Sequence, residues 1–164
     1  MQLYYYIHTG HRYGLDRLRR GAALYKQLVA QGIKPQVLLN DYRATMVAKD
    51  LGIAESTPID SMYNIANIAE AGDGLIIDTP ELSDEVLARM CEIYRSVVTF
   101  SDEWQKYSEK IISQTHCDEN SVQLLPLDPD CFEPAQKKRD KILFFGDADY
   151  EKRLLQEANC FKGF

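Results

Sequence analysis

The sequence contains no CxxC pair, no GxGxxG and no GKS or GKT. Nor does it hold an apolar run approaching the roughly 20 residues a membrane helix needs. These gaps exclude the commonest zinc spacings, the dinucleotide fingerprint, the P-loop and a membrane span. The four cysteines, Cys91, Cys117, Cys131 and Cys160, stand far apart. Free thiols in a reducing compartment are therefore expected, not disulfides. His116-Cys117 with Cys131 fits no zinc pattern, so neither a metal nor any other cofactor is expected. Positive charge is also short: 19 Lys and Arg against 25 Asp and Glu leave a formal charge of −6. A general nucleic-acid binder shows a broad basic face, so nucleic acid is not an expected partner. The N-terminus has no basic-then-apolar signal pattern, which makes the cytoplasm the expected location. Internal repeats and low-complexity tracts are absent as well.

What is present is an ordinary globular composition, 45% hydrophobic and 27% charged over 164 residues, enough for one domain with a real core. Short apolar runs alternate with helical segments. Leu3–Ile7, rich in aromatic and β-branched residues, predicts a strand. Positions 16–31 predict a helix with Leu18, Ala22, Tyr25 and Leu28 near one face, stopped at Gly32. The pattern continues with a strand over 35–39, a helix over 43–51, an extended piece at 58–59 and a helix over 62–70. Gly74–Ile77 ending in Asp78 has the continuous apolar character of a strand buried on both faces. Ser83 N-caps a helix to about Tyr94, and strands are expected over 96–100, 122–125 and 141–145, with a last helix over 150–159. Strands and helices alternating at this spacing predict βαβ units, that is, a Rossmann-like three-layer α/β domain with a mostly parallel sheet.

Ligands of such sheets bind beyond the carboxyl ends of the strands. That directs attention to tips at 8–16, 40–43, 78–81 and 146–149. The first is the strongest: Gly10 and Gly14 allow close backbone approach, while Arg12, Arg17, Arg19 and Arg20 bring positive charge to a helix entry. The competing reading has Arg17, Arg19 and Arg20 coating a solvated helix face. His8, at the strand end, fits a structural hydrogen-bonding role, whereas His11 in the loop suits a general base. Asp78 either binds a sugar hydroxyl or orients a histidine, or it caps the turn through Thr79-Pro80. Ser101 or Asp102 in "TFSDEW" most simply N-caps a helix, and the acidic "FFGDADYE" reads as a helix start.

Strand, glycine loop and basic helix, followed by "LIID" and "SVVTFSDE", resemble the N-terminal half of GT-B-type nucleotide-sugar enzymes. The likeness is to the UDP-diacetamido-trideoxy-altropyranose hydrolases of pseudaminic-acid biosynthesis and the related glycosyltransferases. It covers about residues 1–127. The family's IG[FL]GHxxR segment falls without gaps on residues 13–20: Gly14, Leu15 and Arg20 match, Asp16 replaces the second glycine, and Arg17 stands where the family keeps its catalytic histidine. An arginine cannot serve as that base. A second register places Gly10-His11 on the Gly-His pair, with His11 then the one base available. The resemblance implies a UDP-sugar hydrolase or glycosyltransferase domain of polysaccharide biosynthesis. Gly10, Arg12, Gly14, Arg17, Arg20 and Asp78 would then face substrate.

A Pro- and charge-rich connector at 128–140 leads to "KILFFG", which looks like the start of a GT-B second domain. The residues from 141 to 164 are too few for one. Either the chain is a fragment and incomplete for catalysis alone, or the last strand and helix complete a single domain; a second domain or a homo-oligomer is then an expected partner. Two function classes follow: a nucleotide-sugar enzyme domain, or a non-catalytic domain that binds an anion, a nucleotide-sugar or another protein. A receiver-like domain is disfavoured, because His8-Thr9-Gly10 supplies no acid after the first strand.

Overall fold

A computed structural model describes residues 1–10, 14–80 and 82–100, together with the backbone of residues 110–113 and 121–123. The chain divides into two compact units, Met1–Phe132 and Glu133–Phe164, and all described residues belong to the first. The strand and helix expected over 141–159, the "FFGDADYE" turn and the helix cap at Ser101 or Asp102 lie outside the described residues.

Seven parallel strands form one sheet: β1 (Leu3–Ile7), β2 (Gln36–Leu39), β3 (Ser56–Pro58), β4 (Gly74–Asp78), β5 (Ser96–Phe100), β6 (Lys110–Ser113) and β7 (Ser121–Gln123). Helices α1 (Asp16–Ala30), α2 (Ala44–Asp50) and α3 (Asp84–Ile93) join them, with a 3-10 helix over Met62–Asn67. The spatial order is β3-β2-β1-β4-β5-β6-β7, so the expected Rossmann-like α/β domain is what forms. The chain builds outward from β1 on one side, then crosses to β4 and builds outward on the other. Strand order therefore reverses between β1 and β4, and the crevice of such a sheet opens there.

Alternation along the strands splits the core into two layers. Tyr5, Ile7, Val37, Leu39 and Ile76 meet Leu18, Ala22 and Tyr25 of α1 on one face. Tyr4, Tyr6, Leu38, Leu75 and Ile77 meet Leu87 and Met90 of α3 on the other. The aromatic run Tyr4–Tyr6 thus serves both layers, as a strand covered on both faces requires. Tyr4 packs edge-on to Tyr94 at 6.1 Å between ring centroids. The Tyr94 hydroxyl donates to Ile65 O at 2.8 Å, tying α3 to the 3-10 helix.

Glycine matters most at Gly21. A Cβ there would stand 2.5 Å from Ile7 Cδ1 and 3.4 Å from the Tyr5 hydroxyl, so its absence lets α1 lie close on β1. At the other end of the sheet Asp73 ties the start of β1 to the turn before β4. Its carboxylate accepts the main-chain N–H of Gln2 at 2.7 Å and of Glu70 at 2.9 Å, and these bonds hold the carboxyl below its ordinary value.

Three local readings differ from what forms. The segment expected as a helix over 62–70 is a shorter 3-10 helix, because Asn64 N–H bonds Ser61 O and Ile68 N–H bonds Ile65 O. The extended piece at 58–59 is a strand over Ser56–Pro58 on the sheet edge, where proline is tolerated. The sequence pattern does not single out β6, a four-residue strand.

Candidate functional site

Four strand exits converge on the switch point. After β1, the His8 N–H donates to Asp78 O at 2.8 Å, extending the β1–β4 ladder by one residue. Thr9 then meets the end of β2: Asn40 Oδ1 accepts the Thr9 N–H at 2.6 Å and its hydroxyl at 3.0 Å, while Asn40 Nδ2 donates to Thr9 O at 2.8 Å. One amide side chain thereby fixes the spacing of two strand exits. Gly10 and Gly14 face each other as an antiparallel bridge, and Gly14 takes a φ of 61°, a left-handed conformation glycine enters without strain. The two glycines expected to allow close backbone approach thus pair with each other. His11 and Arg12, which that loop carries, lie outside the described residues.

Helix α1 leaves this loop at Leu15, whose side chain makes no capping hydrogen bond. Its first two turns bring Arg17 and Arg20 over the end of β4. Asp78 is fully buried there. Arg20 Nε donates to Asp78 Oδ2 at 2.6 Å and Arg20 Nη2 donates to Oδ1, the parallel fork that suits guanidinium and carboxylate. Arg17 Nε lies 3.5 Å from Oδ1. The Arg20 guanidinium also sits over the Phe100 ring, 5.0 Å from its centroid, so β5 contributes a cation–π contact. Burial pushes the Asp78 carboxyl above its ordinary value. The Arg20 hydrogen bonds and the charges of Arg20, Arg17 and His8 pull the other way without cancelling it.

Arg17, Arg20 and Asp78, expected at two different strand tips, are brought together here and engage one another. The solvated-face reading holds for Arg19, which is exposed, and not for Arg17 and Arg20, whose side chains are 23% and 27% exposed. Capping of the following helix falls to Ser83, whose hydroxyl accepts the Val86 N–H at 3.3 Å, so Asp78 has no capping duty on α3. Beneath the arginines Tyr5 stacks on Phe100 at 6.4 Å, and its buried hydroxyl has no hydrogen-bond partner among the described residues. An unpaired buried hydroxyl costs stability. Tyr5→Phe should accordingly leave stability unchanged or raise it by up to about 1 kcal/mol. Chemical denaturation would read this, and a loss above that size would mean that the hydroxyl has a partner.

A cleft of about 270 Å³ opens beside the arginine cluster. Thr9, Gly10, Gly14 and Leu15 form one side of it, and Asp41, Arg43, Ala44 and Val47, from the β2–α2 turn and α2, form the other. Sequence reasoning marked 40–43 as a strand tip but assigned it no chemistry. The signal available was "LLND" followed by Arg43: two short polar residues at a strand end, then a cation two positions on. Two other hollows draw on none of these residues. One of about 510 Å³ lies between the 3-10 helix and α3, and one of about 360 Å³ lies beside Lys34 and Pro35.

Among the described residues no three His, Cys, Asp or Glu side chains cluster as metal ligands would, and no helix is long and apolar enough to cross a membrane. A scan against protein-family models, a search of curated proteins and a search of solved structures each found no match to the chain.

Proposed function

We propose that this domain binds a phosphorylated small molecule of the nucleotide-sugar class in the crevice at the carboxyl ends of β1 and β4. In this reading it serves as the sugar-side half of a UDP-sugar hydrolase or glycosyltransferase. The observation that carries the reading is the coincidence of three features at one place. The strand order reverses there. The entry of α1 arrives there behind a Gly10–Gly14 bridge, without a side-chain cap. Two partly exposed arginines flank the same point. Main-chain N–H groups of a first helical turn that Leu15 cannot cap, together with guanidiniums, favour an anion. The resemblance in residues 13–20 and in "LIID" supplies the ligand class. On sequence grounds His11 is the base if the domain belongs to an enzyme.

A second reading, an anion-binding domain without catalysis, is favoured by a separate observation. Arg17, at the position where the resembling enzymes keep histidine, lies 3.5 Å from a buried carboxylate, which is a charge-pairing role. Calorimetric titration with UDP and with UDP-N-acetylglucosamine tests what the two readings share. Binding is expected, with a rise in thermal midpoint by mass action. No heat and no shift at millimolar ligand would remove the nucleotide-sugar reading. Turnover of the UDP-sugar, lost in His11→Ala, would then decide for the enzyme.

A further inference from the structure

Arg43 stands on the wall of the cleft between the first two strand exits, and one carboxylate fixes it in place. Its main-chain N–H and its Nε donate to Asp41 Oδ1 at 2.9 and 3.0 Å. Nε also reaches Asp41 Oδ2 at 3.2 Å, and Nη2 donates to that oxygen at 2.8 Å. Asp41 thereby grips the Nε–Nη2 edge of the guanidinium, and among the described residues Nη1 meets no acceptor. A guanidinium carries five N–H donors in a rigid planar fork, so holding one edge orients the other. The side chain is 61% exposed, and its outer edge is open to a ligand without unfolding anything. Pre-orientation of this kind removes part of the ordering cost of binding.

The cleft below has a matching shape. At about 270 Å³ it lies just below the roughly 300 Å³ at which ligand pockets begin. That matches a sugar phosphate, with the nucleoside of a nucleotide-sugar left outside the cleft. Leu15 from one side and Ala44 and Val47 from the other give it an aliphatic lining against which the C–H face of a sugar ring can pack. Arg17 and Arg20, the cations first expected to hold the anion, are engaged with Asp78, whereas Arg43 offers a fork edge suited to bidentate contact with a phosphate.

We infer that this cleft takes a glycosyl phosphate, with its phosphate on the outer edge of Arg43 and its sugar ring against Leu15, Ala44 and Val47. The inference rests on the phosphorylated-sugar reading above and relocates the anion anchor within it. The same glycosyl phosphate comes either as a free sugar phosphate or as the end of a nucleotide-sugar.

Calorimetry with N-acetylglucosamine 1-phosphate, UDP-N-acetylglucosamine and UDP, on the wild type, Arg43→Ala and Arg89→Ala, separates the possibilities. Arg89 is a comparably exposed arginine, paired with Glu92 at 3.1 Å and away from this cleft. Arg43→Ala should weaken binding of both sugar-bearing ligands about ten- to hundredfold, the loss expected for a charged hydrogen-bonded contact. Arg89→Ala should leave it unchanged, and thermal melts should show all three proteins folded. Equal binding by wild type and Arg43→Ala, or equal weakening in Arg89→Ala, overturns the inference while the nucleotide-sugar reading stands. Arg43-dependent binding of the sugar phosphate alone, with no binding of UDP-N-acetylglucosamine or UDP, keeps the inference and removes the nucleotide part of that reading. Wild-type protein that binds none of the three overturns both.

Discussion

Arg20→Ala should lower the unfolding free energy by about 3–5 kcal/mol, the loss seen when one partner of a buried ion pair is removed. The size follows from an asymmetry between the partners. Asp78 has no exposed surface, while Arg20 keeps 27% of its side chain in solvent. Deleting the arginine removes the fork that pairs the buried carboxylate and leaves it Arg17 at 3.5 Å. Asp78→Ala leaves guanidiniums that can turn toward water, and should cost less. Urea unfolding at neutral pH measures both, and a loss under about 1 kcal/mol for Arg20→Ala would show that the pair does not hold the domain together.

The pH dependence of the same variant has a definite sign. Burial already pushes the Asp78 carboxyl above its ordinary value against the pull of Arg20, so removing Arg20 pushes it higher. An acid whose folded-state value is raised contributes stability that is present below its unfolded value and is lost as pH rises through the folded one. The deficit of Arg20→Ala should therefore shrink as pH falls from neutral toward the ordinary carboxylate range. A deficit that grows on acidification would contradict the assignment of Asp78 as the stranded group.

Leu18→Ala and Leu87→Ala should each cost about 2–5 kcal/mol, and the double variant should lose close to the sum. Both leucines are fully buried, one from α1 and one from α3. They belong to separate core layers on opposite faces of the sheet. Removing three heavy atoms from either leaves a void that the sheet cannot collapse to fill. A double-mutant cycle in denaturant checks the sum. Strong coupling would mean that the sheet transmits strain between layers, and that the two-layer description of the core is incomplete.

The strands and helices were legible because each is written in a local period. Tyr4–Tyr6 and Gly74–Ile77 are continuous apolar runs, and a strand covered on both faces has no other way to be written. Ser83 before Asp84 and Glu85 marked the start of α3, since hydroxyl cap and acidic first turn are chemistry of adjacent residues. The 3-10 helix was misread for an equally local reason: Met62, Ile65 and Ile68 recur at three, a spacing that fits 3-10 and α geometry alike. Strand β6 escaped notice because its two isoleucines between polar ends are too short for a period.

The candidate site was legible as residues and not as an arrangement. Gly10, Gly14, Arg17, Arg20 and Asp78 were all named from their positions at strand ends and helix entries. Nothing in the sequence says that Arg20 grips Asp78 across 58 positions, or that Asn40 clamps Thr9 across 31. The sequence by itself determined where the elements begin, which faces are apolar and which strand tips carry charge, because those depend on neighbours within a turn or two. Only the tertiary structure decided which charges neutralise each other and which remain for a ligand. Parallel pairing sets β1 between β2 and β4, and that placement spends Arg20 on a buried carboxylate and leaves the outer edge of Arg43 on a cleft.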